Sequence, residues 1–188
     1  MNDFLTIKEI KNLKFKKIGK NIKISRNAIF FGTKNISLGS NVRIDALSLI
    51  STTNKEIRIG SYVHIGVGCY INGSYGVDIS NFVGISSGTK LFTTSDTYNG
   101  EFMTNPTVPA KLTKNFCGKI ILFKYVNIGS NSVILPRVKI GAGSAVGALS
   151  LITKNLEPWH FFMGIPAKKL SKRNKNIIQL SKKIKKNV

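Results

Sequence analysis

The stretch from Leu122 to Ile152, LFKYVNIGSNSVILPRVKIGAGSAVGALSLI, places an aliphatic residue at every sixth position: Leu122, Ile128, Ile134, Ile140, Val146 and Ile152. A step of six is neither the period of about 3.6 of an amphipathic helix nor the simple alternation of a strand. The second and third positions of each unit are often Gly, Ser or Ala, which suits short strands joined by bends. Three such steps per turn build a triangular prism. One aliphatic residue per face then points to the axis and stacks on its counterpart in the next coil.

Upstream the same pattern recurs in a looser form. Ile18-Gly19-Lys20-Asn21-Ile22-Lys23, Leu38-Gly39-Ser40-Asn41-Val42-Arg43, Ile59-Gly60-Ser61-Tyr62-Val63-His64 and Ile79-Ser80-Asn81-Phe82-Val83-Gly84 start 20, 21 and 20 residues apart. Two further steps of six follow each start, to Ile24 and Phe30, Ile44 and Ile50, Ile65 and Ile71, and Ile85 and Leu91. All eighteen periodic positions are apolar. The fifth position of the unit, inward but near a corner, holds small groups such as Ala28, Ser48, Cys69, Thr89 and Ser132. Cys69 therefore reads as core filler rather than a nucleophile. Gly141-Ala142-Gly143 precedes no helical pattern, which argues against a dinucleotide-binding turn.

Residues 97–121 interrupt the repeat with Tyr98, Phe102, Pro106, Pro109 and Phe116. They read as a long loop thrown out of the coil, and loops of that length inside a compact solenoid are usually functional. After Pro158 the repeat stops. Gly164-Ile165-Pro166 is a turn, and Leu170, Ile177 and Ile184 recur at heptad spacing in a Lys-rich segment, as in a short amphipathic helix. A solenoid needs covered ends. The chain thus divides into a capping segment at 1–17, a β-helix at 18–158 with its loop at 97–121, and a C-terminal turn with a basic helix or tail at 159–188.

At 188 residues and 42% hydrophobic composition the chain suits one domain. Its formal net charge is +21, with +5 in the first 23 residues and +9 in the last 21. Isoleucine, lysine and asparagine make up 67 of the 188 residues, and all three are encoded by AT-rich codons, so much of the charge needs no ligand. Residues 1–20 contain no leader-like apolar run, and no stretch approaches the ~18–20 apolar residues of a spanning helix. Two cysteines fit a reducing compartment. A cytoplasmic protein is expected, with the basic tail as a candidate contact for an anionic membrane at its inner face.

The hexad, wound three to a coil, resembles the left-handed parallel β-helix of the hexapeptide-repeat acyltransferases, so the expected fold class is all-β. The most specific segments are Val126-Asn127-Ile128-Gly129-Ser130, Ile140-Gly141-Ala142-Gly143-Ser144, Gly147-Ala148, Ile152-Thr153-Lys154 and Gly164-Ile165-Pro166-Ala167-Lys168. With Thr104-Asn105-Pro106-Thr107 in the loop, they are similar to the galactoside and maltose acetyltransferase branch and to enzymes that acetylate sugars for bacterial surface polysaccharide or lipopolysaccharide. That resemblance implies a homotrimer with acetyl-CoA lying in grooves between neighbouring prisms. It implies a cofactor lining of Ser130, Ala148, Thr153 and Lys154, with Lys168 near the phosphates. Arg173 belongs to the same basic cluster, and ammonium or guanidinium groups suit phosphate. Tyr98 and Asn105, in the loop, are candidates to bind a sugar or nucleotide-sugar acceptor.

Acetyl transfer to a sugar hydroxyl needs a base. In the relatives a histidine starts the loop; here Asp96 stands at that position. His64 ends its hexad at an outward corner, and His160 follows the last coil. One reading makes His64 the general base, with Asp96 orienting it or binding the acceptor across a groove between subunits. Another makes Asp96 the sole ionised group. If the acceptor is an amine, a carboxylate that holds it suffices. A metal-dependent enzyme of the carbonic anhydrase kind would need three histidines, so no metal is expected. The basic residues lack the interleaved aromatics of a nucleic-acid stacking platform. The alternative to an enzyme is a noncatalytic β-solenoid binding anionic glycan, membrane or nucleic acid.

Overall fold

The computed structural model of the protein describes residues 3–186. The chain forms a parallel β-solenoid of about seven coils. Strands of mostly two or three residues stack into three sheets of six, eight and six strands. The register follows the hexad. In the first sheet Leu38, Ile59, Ile79 and Leu122 are successive partners; in the second, Ile44, Ile65, Ile85 and Ile128; in the third, Ile50, Ile71, Leu91 and Ile134.

Sixteen of the eighteen periodic residues are buried. The exceptions, Ile18 at 38% exposure and the half-buried Phe30, lie in the first coil, where no further coil covers them. Full burial of each aliphatic side chain contributes about 1.5–3 kcal/mol. Small polar groups near the corners are satisfied by carbonyls of the adjoining coil. Ser48 Oγ donates to Gly66 O at 2.8 Å, Thr89 Oγ1 to Gly129 O at 3.2 Å, and Ser132 Oγ to Gly147 O at 3.0 Å. A buried hydroxyl without such a partner would cost about 1–3 kcal/mol.

At the corner after the first sheet the backbone turns left-handed at Tyr62, Phe82, Tyr125 and Trp159, with φ between +59° and +64°. Their rings form a column: Tyr62 and Phe82 stack at 4.8 Å, Phe82 and Tyr125 at 5.4 Å. A left-handed residue costs about 1–2 kcal/mol, which aromatic pairing of about 0.5–1.5 kcal/mol partly offsets. Gly143 occupies the same column beneath the Trp159 indole, where a Cβ would collide with the ring.

The ends are covered as a solenoid requires. Helix α1, Ile7–Asn12, opens with a capping box between Thr6 and Glu9. Glu9 also takes both guanidinium nitrogens of Arg26. That pairing, with the cap, drives its carboxyl down to about 2. At the other end the second sheet continues past residue 158: His160–Gly164 pairs in parallel with Ala145–Val146, then antiparallel with Ala167–Lys172. Leu170, assigned by heptad spacing to a helix, lies on this last strand. The Gly164–Pro166 turn folds it back onto the sheet edge, which offers hydrogen bonds that a helix would leave unused. Helix α2 is Ile177–Lys186, and Ser181 Oγ meets Tyr125 Oη at 2.8 Å. No described helix is long and apolar enough to cross a membrane.

Candidate active site

The loop leaves the solenoid from the end of the third sheet. Thr93 marks the departure: buried, its Oγ1 donates to Asn72 O at 2.8 Å. Thr94–Asp96 then pairs antiparallel with Asn115–Cys117, and the coil resumes at Ile120–Leu122. This hairpin overhangs a hollow of about 360 Å³ that brings Asp96, Thr94 and Tyr98 against Phe92, Val133 and Leu135. One wall carries a half-buried carboxylate and hydroxyls; the other is apolar. Such a hollow can hold an amine or hydroxyl against a proton acceptor while shielding the pair from bulk water.

Tyr98 is 88% exposed at the rim, its Oη 3.5 Å from Ser95 Oγ. Asn105 has a local task. Its Oδ1 accepts from the backbone N–H of Thr107 at 2.9 Å and from Thr107 Oγ1 at 2.6 Å, which shapes the loop tip.

His64 lies elsewhere within one chain, on the outward face of the second sheet, with its side chain 53% exposed. Its carboxylate partner is Asp45. His64 Nε2 lies 2.7 Å from Asp45 Oδ2, and Arg43 Nε donates to Asp45 Oδ1 at 2.7 Å. With Nε2–H donating, Nδ1 is left to accept a proton. Burial of Asp45 would raise its pKa; hydrogen bonds from His64 and Arg43 outweigh that and hold it below the ordinary value. Sequence reasoning missed Asp45. The available signal was positional: Arg43 pairs with His64 and Ile44 with Ile65, so the residue after Ile44 lies beside the histidine's strand.

The residues expected to line an acyl donor divide into two groups. Ser130 and Ala148 share the corner after the second sheet, where Leu149 N–H reaches Ser130 O at 2.8 Å. Thr153 and Lys154 border a hollow of about 130 Å³ closed by Pro166 and Ala167. Lys168 is exposed on the last strand. Among the described residues neither Lys154 nor Lys168 has an ion-pair partner, whereas Lys169 Nζ is 2.6 Å from Glu157. Small side chains and two uncommitted ammonium groups fit a thin arm ending in phosphates. Arg173 is differently engaged: its Nη1 donates to Tyr125 O at 3.0 Å and Gly143 O at 2.8 Å, and burial lowers its pKa. That guanidinium ties the C-terminal segment to the coils.

His160 and Cys69 have structural settings. His160 lies on the strand after Pro158, its Nδ1 2.9 Å from Pro158 O. Cys69 is buried, and loss of hydration pushes its thiol up to about 11. Among the described residues no three His, Cys, Asp or Glu side chains gather as a metal site would require.

No family model matches the chain. It is 40% identical over 172 residues to a dTDP-4-amino-4,6-dideoxy-D-glucose acyltransferase of Escherichia coli, covering 92% of this chain and 90% of that one. A putative lipopolysaccharide biosynthesis O-acetyl transferase of the same species, WbbJ, is 28% identical over 153 residues, 78% of this chain and 73% of the relative. Among solved structures, a variant of AntD, an N-acyltransferase from Bacillus cereus, superimposes with a TM-score of 0.96 at 35% identity over all of both chains. That crystal holds dTDP-4-amino-4,6-dideoxyglucose and coenzyme A. Other crystals of AntD carry replacements of a serine and of an aspartate ten residues apart.

Proposed function

Because the chain belongs to the hexapeptide-repeat sugar acyltransferases, we propose that it transfers an acetyl group from acetyl-CoA to the amino group of a dTDP-linked aminodeoxy sugar. The observation that carries this reading is Asp96 in its half-apolar hollow, in a chain similar to a protein named as a dTDP-aminosugar acyltransferase and to one named as an N-acyltransferase. An amine attacks as its free base, so it needs a carboxylate to hold it more than a strong base to activate it.

The thioester supplies the electrophilic carbonyl carbon and the departing sulfur. Asp96 accepts a hydrogen bond from the sugar amine, aims its lone pair, takes the proton released as the C–N bond forms, and returns it to the sulfur as the C–S bond breaks. Phe92, Val133 and Leu135 exclude water from that exchange. Ser86 and Asp96 are ten residues apart, the spacing of the two replaced residues in AntD; Ser86 follows Ile85 of the second sheet, so its hydroxyl is a candidate donor to the carbonyl oxygen only at a site completed by a neighbouring copy. Lys154 and Lys168 attract the donor's phosphates. Tyr98 closes the rim over the sugar.

His64 enters through assembly. We assign a homotrimer, supported by the apolar outward row of the third sheet, Ile29, Leu49, Tyr70, Val133 and Leu151, interrupted by Lys90 alone. In that arrangement the His64–Asp45 pair of one copy approaches the hollow of the next and serves as a second proton acceptor. We also propose a cytoplasmic location, which a nucleotide-linked acceptor and a coenzyme A thioester would suit, and α2 as a point of contact with anionic lipid.

The test is thiol release from acetyl-CoA with a panel of nucleotide sugars, amino and hydroxyl. Turnover is expected with a dTDP-aminosugar, falling about 100-fold or more in Asp96→Asn and less in His64→Gln. No turnover with any aminosugar, or wild-type turnover in Asp96→Asn, overturns the reading.

A further inference from the structure

The hairpin that carries Asp96 belongs to none of the three coil sheets; its two strands pair only with each other. Its aim over the hollow depends on contacts made from outside that two-stranded ladder. We infer that Arg137, on the next coil, is the positioning residue that sets this hairpin, and through it Asp96, above Val133 and Leu135. The inference rests on the reading of Asp96 as the acceptor-holding carboxylate.

Arg137 grips the return strand at three consecutive residues. Its guanidinium lies 4.4 Å from the centroid of the Phe116 ring, a cation–π contact. Its Nε donates to Cys117 O at 2.8 Å. Its stem packs over Gly118 so closely that a Cβ there would collide with Arg137 Cγ. The backbone adds a bond from Arg137 N–H to Gly118 O at 3.4 Å. Phe116 and Cys117 are the register partners of Ser95 and Thr94, and Asp96 is next in that ladder, opposite Asn115.

The same short segment also builds the hollow, because Leu135, two residues before Arg137, lines it. One piece of chain therefore forms the apolar wall and clamps the opposite one. A planar guanidinium can stack on Phe116 while its Nε–H is directed at a carbonyl; a lysine cannot do both. Arg137 holds this grip from a left-handed backbone, φ +69°, a conformation strained for an L residue and free of strain for glycine. Replacement by glycine thus removes the clamp without disfavouring the corner.

Arg137→Gly and Arg137→Lys would be compared in steady-state kinetics, with and without Asp96→Asn. Expected is a fall in kcat of about tenfold in both single variants, with KM for acetyl-CoA and for the dTDP-aminosugar each within about twofold. The melting temperature of Arg137→Gly should hold within about 2 °C. In the Asp96→Asn background the loss of Arg137 should cost nothing further, because it acts through Asp96. Wild-type kcat in both single variants overturns the inference; so does a loss confined to the sugar's KM, which would mark a phosphate ligand, or an equal loss in the Asp96→Asn background. Hydrogen exchange of residues 113–119 reads the clamp independently: faster exchange in Arg137→Gly is expected, and unchanged exchange overturns it. Wild-type turnover in Asp96→Asn together with faster exchange would sink only the role of Asp96.

Discussion

Inside the solenoid the second sheet stacks Ile44, Ile65, Ile85 and Ile128, while the third stacks Ile50, Ile71, Leu91 and Ile134, and every one of these side chains is buried. Outside, one residue away on the same strands, the second sheet presents Lys23, Arg43 and His64 in register, and the third presents Ile29, Leu49 and Tyr70. Side chains alternate along a strand, so one backbone carries two independent messages. The inward rows explain why the coils form, and they are interchangeable. The outward rows distinguish the faces: charged and polar side chains on part of the second sheet, a mostly apolar row on the third.

The largest effect tests the inward equivalence. Ile65→Ala and Ile71→Ala should each lose about 2–5 kcal/mol in denaturant melts, the cost of emptying a filled core position. His64→Ala, beside Ile65, should lose less than about 1 kcal/mol. Unequal losses in the two isoleucine variants would break the comparison. Next comes the outward contrast, with the same charge placed on either face. Light scattering should find Leu49→Asp shifted from the proposed trimer to smaller species, because an unpaired carboxylate would be buried between copies, whereas Lys23→Asp should keep the mass of the wild type.

A smaller effect separates the cations at the C-terminal end. Lys154→Ala and Lys168→Ala should raise KM for acetyl-CoA by about 3–10-fold with kcat little changed, as for binding shared by ground and transition states. Arg173→Ala should instead lower the melting temperature, because its guanidinium is occupied by three carbonyls within the chain. The smallest effect concerns α2. Lys182→Glu with Lys183→Glu should reduce co-sedimentation with anionic vesicles, each lysine near a membrane surface being worth about 1 kcal/mol. Equal binding of the unaltered protein to anionic and neutral vesicles would end that reading.

The three faces, the inward rows and the ejected loop were legible because each depends only on spacing along the chain. That Asp96 stands where the loop leaves the coil was legible from its place after the last regular hexad before the interruption. Asp45 was not, because the residue that meets His64 lies 19 positions earlier and one coil away. Arg173 read as a phosphate ligand from its basic neighbours; its hydrogen bonds to carbonyls of the coils were not legible, because charge in sequence does not say which way a side chain turns. Leu170 fitted a helical heptad, and the free edge of the second sheet took it into a strand.

By itself the sequence determined that this chain winds into coils, where the winding is interrupted, and which residues fill the axis. Burial of an aliphatic side chain at every sixth position is satisfied by any neighbour that repeats the pattern, so it needs no knowledge of particular contacts. Tertiary structure alone decided that Asp45 holds His64, that Arg137 grips the hairpin of Asp96 and that Arg173 binds carbonyls of the coils. These pairs lie 19, 20 and 48 residues apart. A directional hydrogen bond across such a gap exists only once the coils have stacked in one register and the loop has folded back upon them.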